Sequence, residues 1–203
     1  MANNLLSEAE RYLVTRWDDA RHLELSMEEV RRKYAGLFGR IAEAVASRHK
    51  RLSQSYIRVT QHWADGVFGI GDQRWRTKSG DLQGFYIEGL RLEVLASEED
   101  SPWAGIWISK IDGREMAAAR EKLYAASKGL LTRRERELAF EEKPGEECAL
   151  WYHLPEKQTQ LLDMLAADDG RGFVDCMVGH IDLLARFSPV LDRILMQRAS
   201  RRR

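Results

Sequence analysis

The sequence is short of the features that would assign it at once. Its 203 residues include only two cysteines, Cys148 and Cys176. Two thiols make no disulfide framework, so a reducing, cytoplasmic setting is expected. No apolar run approaches the roughly 18–20 residues of a membrane-spanning helix, and no membrane association is expected. The N-terminal residues MANNLLSEAERYL lack the positive start and apolar core of a signal peptide. Charge of either sign is not in excess, with 32 Lys/Arg against 32 Asp/Glu. That balance argues against a surface that is one continuous nucleic-acid clamp. Catalytic signatures are also missing. There is no G-x-S-x-G elbow. The glycine-rich run GVFGIGD at 66–72 lacks both the G-x-G-x-x-G spacing and the Lys-Ser/Thr end of a phosphate-binding loop. No internal repeat, low-complexity tract or long linker is present, and no cofactor is expected.

What the chain does have is a clear change of period. Residues 84–110 read as two strands joined by the acidic turn Ser97, Glu98, Glu99, Asp100 and Ser101, closed by Pro102. Phe85 and Ile87 share one strand face, yet Leu90, Leu92 and Val94 have the opposite parity. A bulge at Gly89 reconciles the two sets, because a one-residue slip would otherwise turn half of them into water. In the second strand Ala104, Ile106 and Ile108 face one side and Trp103, Gly105 and Trp107 the other. Apolar weight on both faces predicts a covered, central strand.

Upstream, two capping-box patterns, Ser7 with Glu10 and Ser26 with Glu29, predict two helices joined near Leu25, an antiparallel hairpin over residues 1–52. Their apolar stripes are Leu6, Ala9, Leu13, Trp17 and Ala20, then Met27, Val30, Tyr34, Leu37, Phe38, Ile41 and Val45. Strands are predicted over 56–63 and 67–75, either side of the Asp65-Gly66 turn. After Asp112-Gly113 a helix carries Met116, Ala119, Leu123 and Leu130, and Thr132 with Glu135 caps a further short turn. A hairpin is predicted between 138–142 and 148–154, around Pro144-Gly145. Residues 156–203 read as helical, broken at Asp168-Asp169-Gly170 and restarted at Ser188-Pro189. The expected fold is therefore α+β. It is one domain over 1–203 with an antiparallel sheet of about five or six strands, a typical sheet size. The helical hairpin and a helical C-terminal third pack on that sheet.

Three chemistries have residues to stand on. Cys176 and His180 are four apart on a predicted helix, the spacing that lets two side chains reach one metal ion. Cys148 and His153 are the other nearby pair, but five residues along a regular strand put them on opposite faces. Asp81, Glu88 and Glu93 are the acids of a metal-dependent nuclease or hydrolase, although the Lys that should follow two residues on is Leu90 or Leu95. Arg74, Trp75, Arg76 and Lys78 set a ring among cations at a hairpin turn, the pattern used to bind single-stranded nucleic acid. Amphipathic surfaces and rings are more plentiful than any of these. The leading expectation is a non-catalytic interaction or accessory protein that docks on a protein partner or a second copy of itself, through the hairpin or through residues 173–197. Nucleic-acid contact is the first alternative and metal-dependent hydrolysis the second.

Overall fold

The structure, a computed structural model, describes residues 7, 14–58, 66–77, 79–90, 102–108, 112–138, 140 and 148–201. The chain divides into two compact units, Met1–Leu37 and Phe38–Arg203. The fold is α+β, with helix at the N-terminal side, a five-stranded antiparallel sheet and a helical C-terminal part.

Helix α1 spans Trp17–Arg48. It corrects the expected hairpin. The chain does not turn near Leu25, because no glycine or proline interrupts residues 17–35 and the Ser26 hydroxyl does not cap. Instead it donates to the His22 carbonyl one turn back, at 2.8 Å, a bond that leaves a helix intact. The Ser7–Glu10 capping pattern lies largely outside the described residues. In the first unit Trp17, Leu23, Met27 and Val30 are all exposed.

In the second unit the strands are β1 (Gln54–Arg58), β2 (Val67–Gly71), β3 (Gly84–Glu88), β4 (Trp103–Trp107) and β5 (Cys148–His153). They lie side by side in chain order, each antiparallel to its neighbour. Strand β2 ends earlier than predicted. Asp72 accepts the Arg74 backbone N–H at 2.9 Å and so opens a short 3-10 turn over Gln73–Trp75. The expected pairing of 138–142 with β5 lies largely outside the described residues. Among the described residues the partner of β5 is β4, reached only after helix α2 (Gly113–Leu130) has intervened. The turn residues 141–147 lie outside the described set.

The offset at Gly89 is present. Gly89 has φ +82°, and the Leu90 N–H donates to the Gly66 carbonyl at 3.0 Å. That bond is one residue out of step with the β2–β3 ladder, in which Phe68 pairs with Ile87. Leu90 is thereby buried alongside Phe85 and Ile87; Leu92 and Val94 lie outside the described residues. A second, unpredicted irregularity falls in β5, where Leu150 pairs with Ile106 but Cys148 pairs with Trp107, leaving Ala149 as the extra residue.

One sheet face carries Phe68, Ile70, Phe85, Ile87, Ala104, Ile106, Leu150 and Tyr152, all buried. Helix α4 (Arg171–Ala185) packs across it on β3 and β4, and Phe38 stacks on Phe68 with ring centroids 6.2 Å apart. Each large apolar side chain so buried contributes about 1.5–3 kcal/mol. The other face is paved with rings over glycine. Tyr86 lies across Gly69, where an added Cβ would collide with the ring. Tyr86 meets Trp107, and Trp103 meets Trp151, each pair at 5.7 Å.

Helix α3 (Gln158–Ala166) precedes α4, and α5 (Ser188–Arg201) follows it. Between α3 and α4 Asp168, Asp169 and Gly170 all have positive φ (46°, 52° and 71°), a reversal fixed by Arg40 donating to the Asp169 carbonyl at 2.7 Å. The cap at Thr132 and Glu135 forms reciprocally, with each side chain accepting the other's backbone N–H.

Candidate functional site

Strand β5 ends at His153, and Glu156, three residues on, sits in the connector to α3. This brings Glu156 to the flank of α4, where Cys176 and His180 lie one helical turn apart. One donor atom from each of the three residues falls within 4.8 Å of the others. The His180 Nε2 is 2.9 Å from a Glu156 carboxylate oxygen. On its other side, Nδ1 is 2.9 Å from the Tyr152 hydroxyl, which β5 projects from the covered sheet face. The Cys176 sulfur lies within 4.8 Å of both the Glu156 oxygen and the His180 nitrogen.

Electrostatics follow from these contacts. The His180 hydrogen bond holds the Glu156 carboxyl below its ordinary range, outweighing partial burial, so Glu156 is the anion of the group. Burial, and then the Glu156 charge, push the Cys176 thiol up to about 12. A thiol so raised reacts more slowly at neutral pH than a free cysteine does. Burial likewise pushes the Tyr152 hydroxyl well above the ordinary phenol range. The ensemble is a partly covered group in which one carboxylate is bonded to an imidazole, a thiol stands close to both, and a phenol fixes the far side of the ring. Sequence spacing identified Cys176 and His180. Glu156 and Tyr152 carried no local signal, since only the β5–α4 packing brings them in.

Cys148 and His153 do not join this group. Cys148 is buried in β5 with its thiol on the Leu150 carbonyl. His153 is exposed and lies against Trp151. The bulge at Ala149 does put the two on one face, contrary to the regular-strand expectation. They pair with Trp107 and Trp103, four residues or about 13 Å apart along β4.

The cation-rich turn is built differently from its sequence reading. Trp75 is 1% exposed, meets Phe85 edge-on at 5.6 Å, and donates its indole N–H to Asp192 at 2.7 Å. Its ring offers no face to a base, so Trp75 is a core residue and not a stacking platform. The guanidinium of Arg74 is committed to Asp72 (Nη2–Oδ2 2.7 Å), with Asp192 at 3.8 Å. Arg76 donates to the Gly80 carbonyl and to Gln54. Lys78 lies outside the described residues. A further cation, Arg51, bonds both Asp72 (2.9 Å) and Asp192 (2.7 Å). The turn is thus a structural knot tying the end of β2 to Arg51, just past α1, and to Asp192 of α5. The sequence signal for it was the Asp at the strand end, an N-cap residue type.

Of the acids of the hydrolase reading, the two among the described residues, Asp81 and Glu88, do not converge. Asp81 precedes β3 and accepts from the hydroxyls of Thr77 and Ser79 in its own turn. Glu88 ends β3, so the five-residue strand, about 13 Å long, separates the two. Glu93 lies outside the described residues. The C-terminal docking surface is also spoken for, since Phe173, Val174, Met177, Ile181, Leu184, Leu191 and Ile194 are buried in the core. No protein-family model, no curated protein and no solved structure matches this chain.

Proposed function

We propose that the protein is a non-catalytic interaction protein whose N-terminal helix pairs with a second copy of the chain. The observation that carries this reading is the exposed apolar stripe of α1. Ala20, Leu23, Met27 and Val30 recur at alternating spacings of three and four, the a/d pattern of a coiled-coil seam. Leu23 is 66% exposed, Val30 47% and Met27 40%. Neighbouring Trp17, a residue type favoured as an interface anchor, is 65% exposed.

Charge supports a second copy laid antiparallel. Residues 18–29 hold Asp18, Asp19, Glu24, Glu28 and Glu29 against Arg21, whereas Arg31, Arg32 and Lys33 follow with no acid among them. Glu29 already pairs along its own helix with Arg32 at 2.7 Å and Lys33 at 3.5 Å. In an antiparallel pair the acidic start of each copy faces the basic stretch of the other, and in a parallel pair like faces like.

The test is mass in solution. Light scattering across about 1–100 μM should show a reversible monomer–dimer equilibrium. The double variant L23E/V30E should be monomeric throughout, with unchanged far-UV circular dichroism. Spin labels at position 18 should lie about 20 Å apart along an antiparallel pair centred near residue 25, and side by side in a parallel one. A wild-type chain that stays monomeric over the whole range defeats the proposal.

A further inference from the structure

We propose that Glu156, Cys176 and His180 bind a borderline-soft divalent cation of the zinc class, a role separate from the helix pairing. The donor set of thiolate sulfur, imidazole nitrogen and carboxylate oxygen is the combination zinc prefers over hard cations. Two donors come from one helix face at i and i+4, and the third from the β5–α3 connector, so coordination would close a contact between distant parts of the chain. The geometry is near what is required. Nitrogen and oxygen ligands about 2.0–2.2 Å from a tetrahedral zinc lie about 3.4 Å apart, and the His180 and Glu156 atoms are now 2.9 Å apart. Rotating the Glu156 carboxylate outward by about half an ångström makes the space, and side-chain torsions accommodate that readily.

The surroundings have the form of ligand support. A metal-bound imidazole typically has its second nitrogen held by a hydrogen bond, and Tyr152 holds Nδ1 of His180 at 2.9 Å. A plain hydrogen-bonded histidine would need only Tyr152 and Glu156. It would not need a third ligand-type atom, the Cys176 sulfur, within 4.8 Å of both the others. Cys176 and Glu156 are only half-buried, which provides an entry path and room for a fourth ligand from solvent.

Proton and charge balance are simple. On coordination Cys176 releases its thiol proton to solvent, and a sulfur–metal bond forms. His180 changes tautomer in the same event: the proton that Nε2 shares with Glu156 leaves to solvent, Nδ1 takes one up with the Tyr152 oxygen turning from donor to acceptor, and Nε2 is free for the ion. Glu156 is already ionised. Two anionic ligands neutralise the dication, so the filled site carries no net charge, which suits its partial burial.

Cobalt(II) titrated into the chelator-treated full-length chain is the probe. The expected result is one ion per chain with a near-ultraviolet thiolate-to-cobalt band, displaced by one equivalent of zinc. Cys176→Ser should abolish the band, and Cys148→Ser should leave it. Glu156→Gln and His180→Gln should each weaken binding by more than the roughly 10–100-fold lost with a supporting residue, and Tyr152→Phe by about tenfold with the band retained. Should the Cys176 variant fail to fold, alkylation of Cys176 in the wild-type chain, followed by peptide mass, gives the same answer, because zinc should slow it. Three results would overturn the proposal: no band at about a hundredfold excess of cobalt, a band that follows Cys148, or alkylation of Cys176 at equal rates with and without zinc.

Discussion

Replacing Asp72 by Asn tests the knot at its centre. The amide keeps the size of the carboxyl and an oxygen for the Arg74 N–H, so the turn stays capped. What it removes is the charge between two guanidiniums. Asp72 is only 5% exposed and accepts from Arg51 at 2.9 Å and from Arg74 at 2.7 Å. Hydrogen bonds to a charged group contribute about 1.5–3 kcal/mol each. Both arginine side chains are 53% exposed, so solvent screens part of that, and Asp192 remains to receive Arg51. The net loss should be about 2 kcal/mol, or about 4–8 °C in Tm for a chain of this length. The pH dependence identifies the cause. The Arg74 guanidinium, opposed by burial but helped by the Arg74 backbone N–H and by Arg51, holds the Asp72 carboxyl far below its ordinary value of 3.8. With the folded-state pKa depressed, the stabilisation is complete above the unfolded-state value near 4 and drains away as pH falls toward the folded-state one. Thermal melts of both proteins at pH 7, 5, 4 and 3 should therefore show a constant gap down to pH 5 that narrows by pH 3. A variant as stable as wild type at pH 7, or a gap of the same size at every pH, refutes the reasoning.

Other substitutions probe other parts of the fold. Gly89→Ala forces a side chain to φ +82° and brings Cβ to 3.0 Å from the Pro102 Cα; it should cost about 1–2 kcal/mol or more in urea unfolding. Gly179→Ala is the opposite case. The residue is exposed in the middle of α4 with nothing within 4 Å of an added Cβ, and the change should raise stability by about 0.4–1 kcal/mol. Trp75→Phe keeps a ring against Phe85 but removes the indole N–H from Asp192, which Arg51 still holds, and should lower stability by about 1–2 kcal/mol. The same variant should leave any affinity for single-stranded oligonucleotides unchanged, whereas a stacking tryptophan would lose about 1–3 kcal/mol of binding.

The parts of the fold legible in the sequence were those set by neighbours in the chain. The parity break at Gly89, the helix start after Asp112-Gly113 and the Thr132–Glu135 box each involve residues within a few positions. The i,i+4 relation of Cys176 and His180 is local too. The hairpin was misread because a capping-box pattern is permissive. Ser26 satisfies its hydroxyl equally well against His22, and nothing near Leu25 breaks the helix. The burial of Trp75 was hidden because its partner, Asp192, is more than a hundred residues away. Glu156 was missed for the same reason, since only the packing of β5 against α4 makes it a neighbour of His180. In each case the missing information was which surfaces meet, and periodicity carries none of it.

The late return of β5 bears on the order of folding. Strands β1 to β4 are joined by short connections and form a local meander. About forty residues, α2 among them, separate β4 from β5, and each doubling of a loop adds about 0.6 kcal/mol to the entropy of closing it. The fifth strand is thus the costliest to dock, and it carries Tyr152 and leads into Glu156. A nucleus of β2–β4 can assemble before β5 arrives. Truncating Leu150 should then speed unfolding while barely slowing folding, and truncating Ile87 should do the reverse.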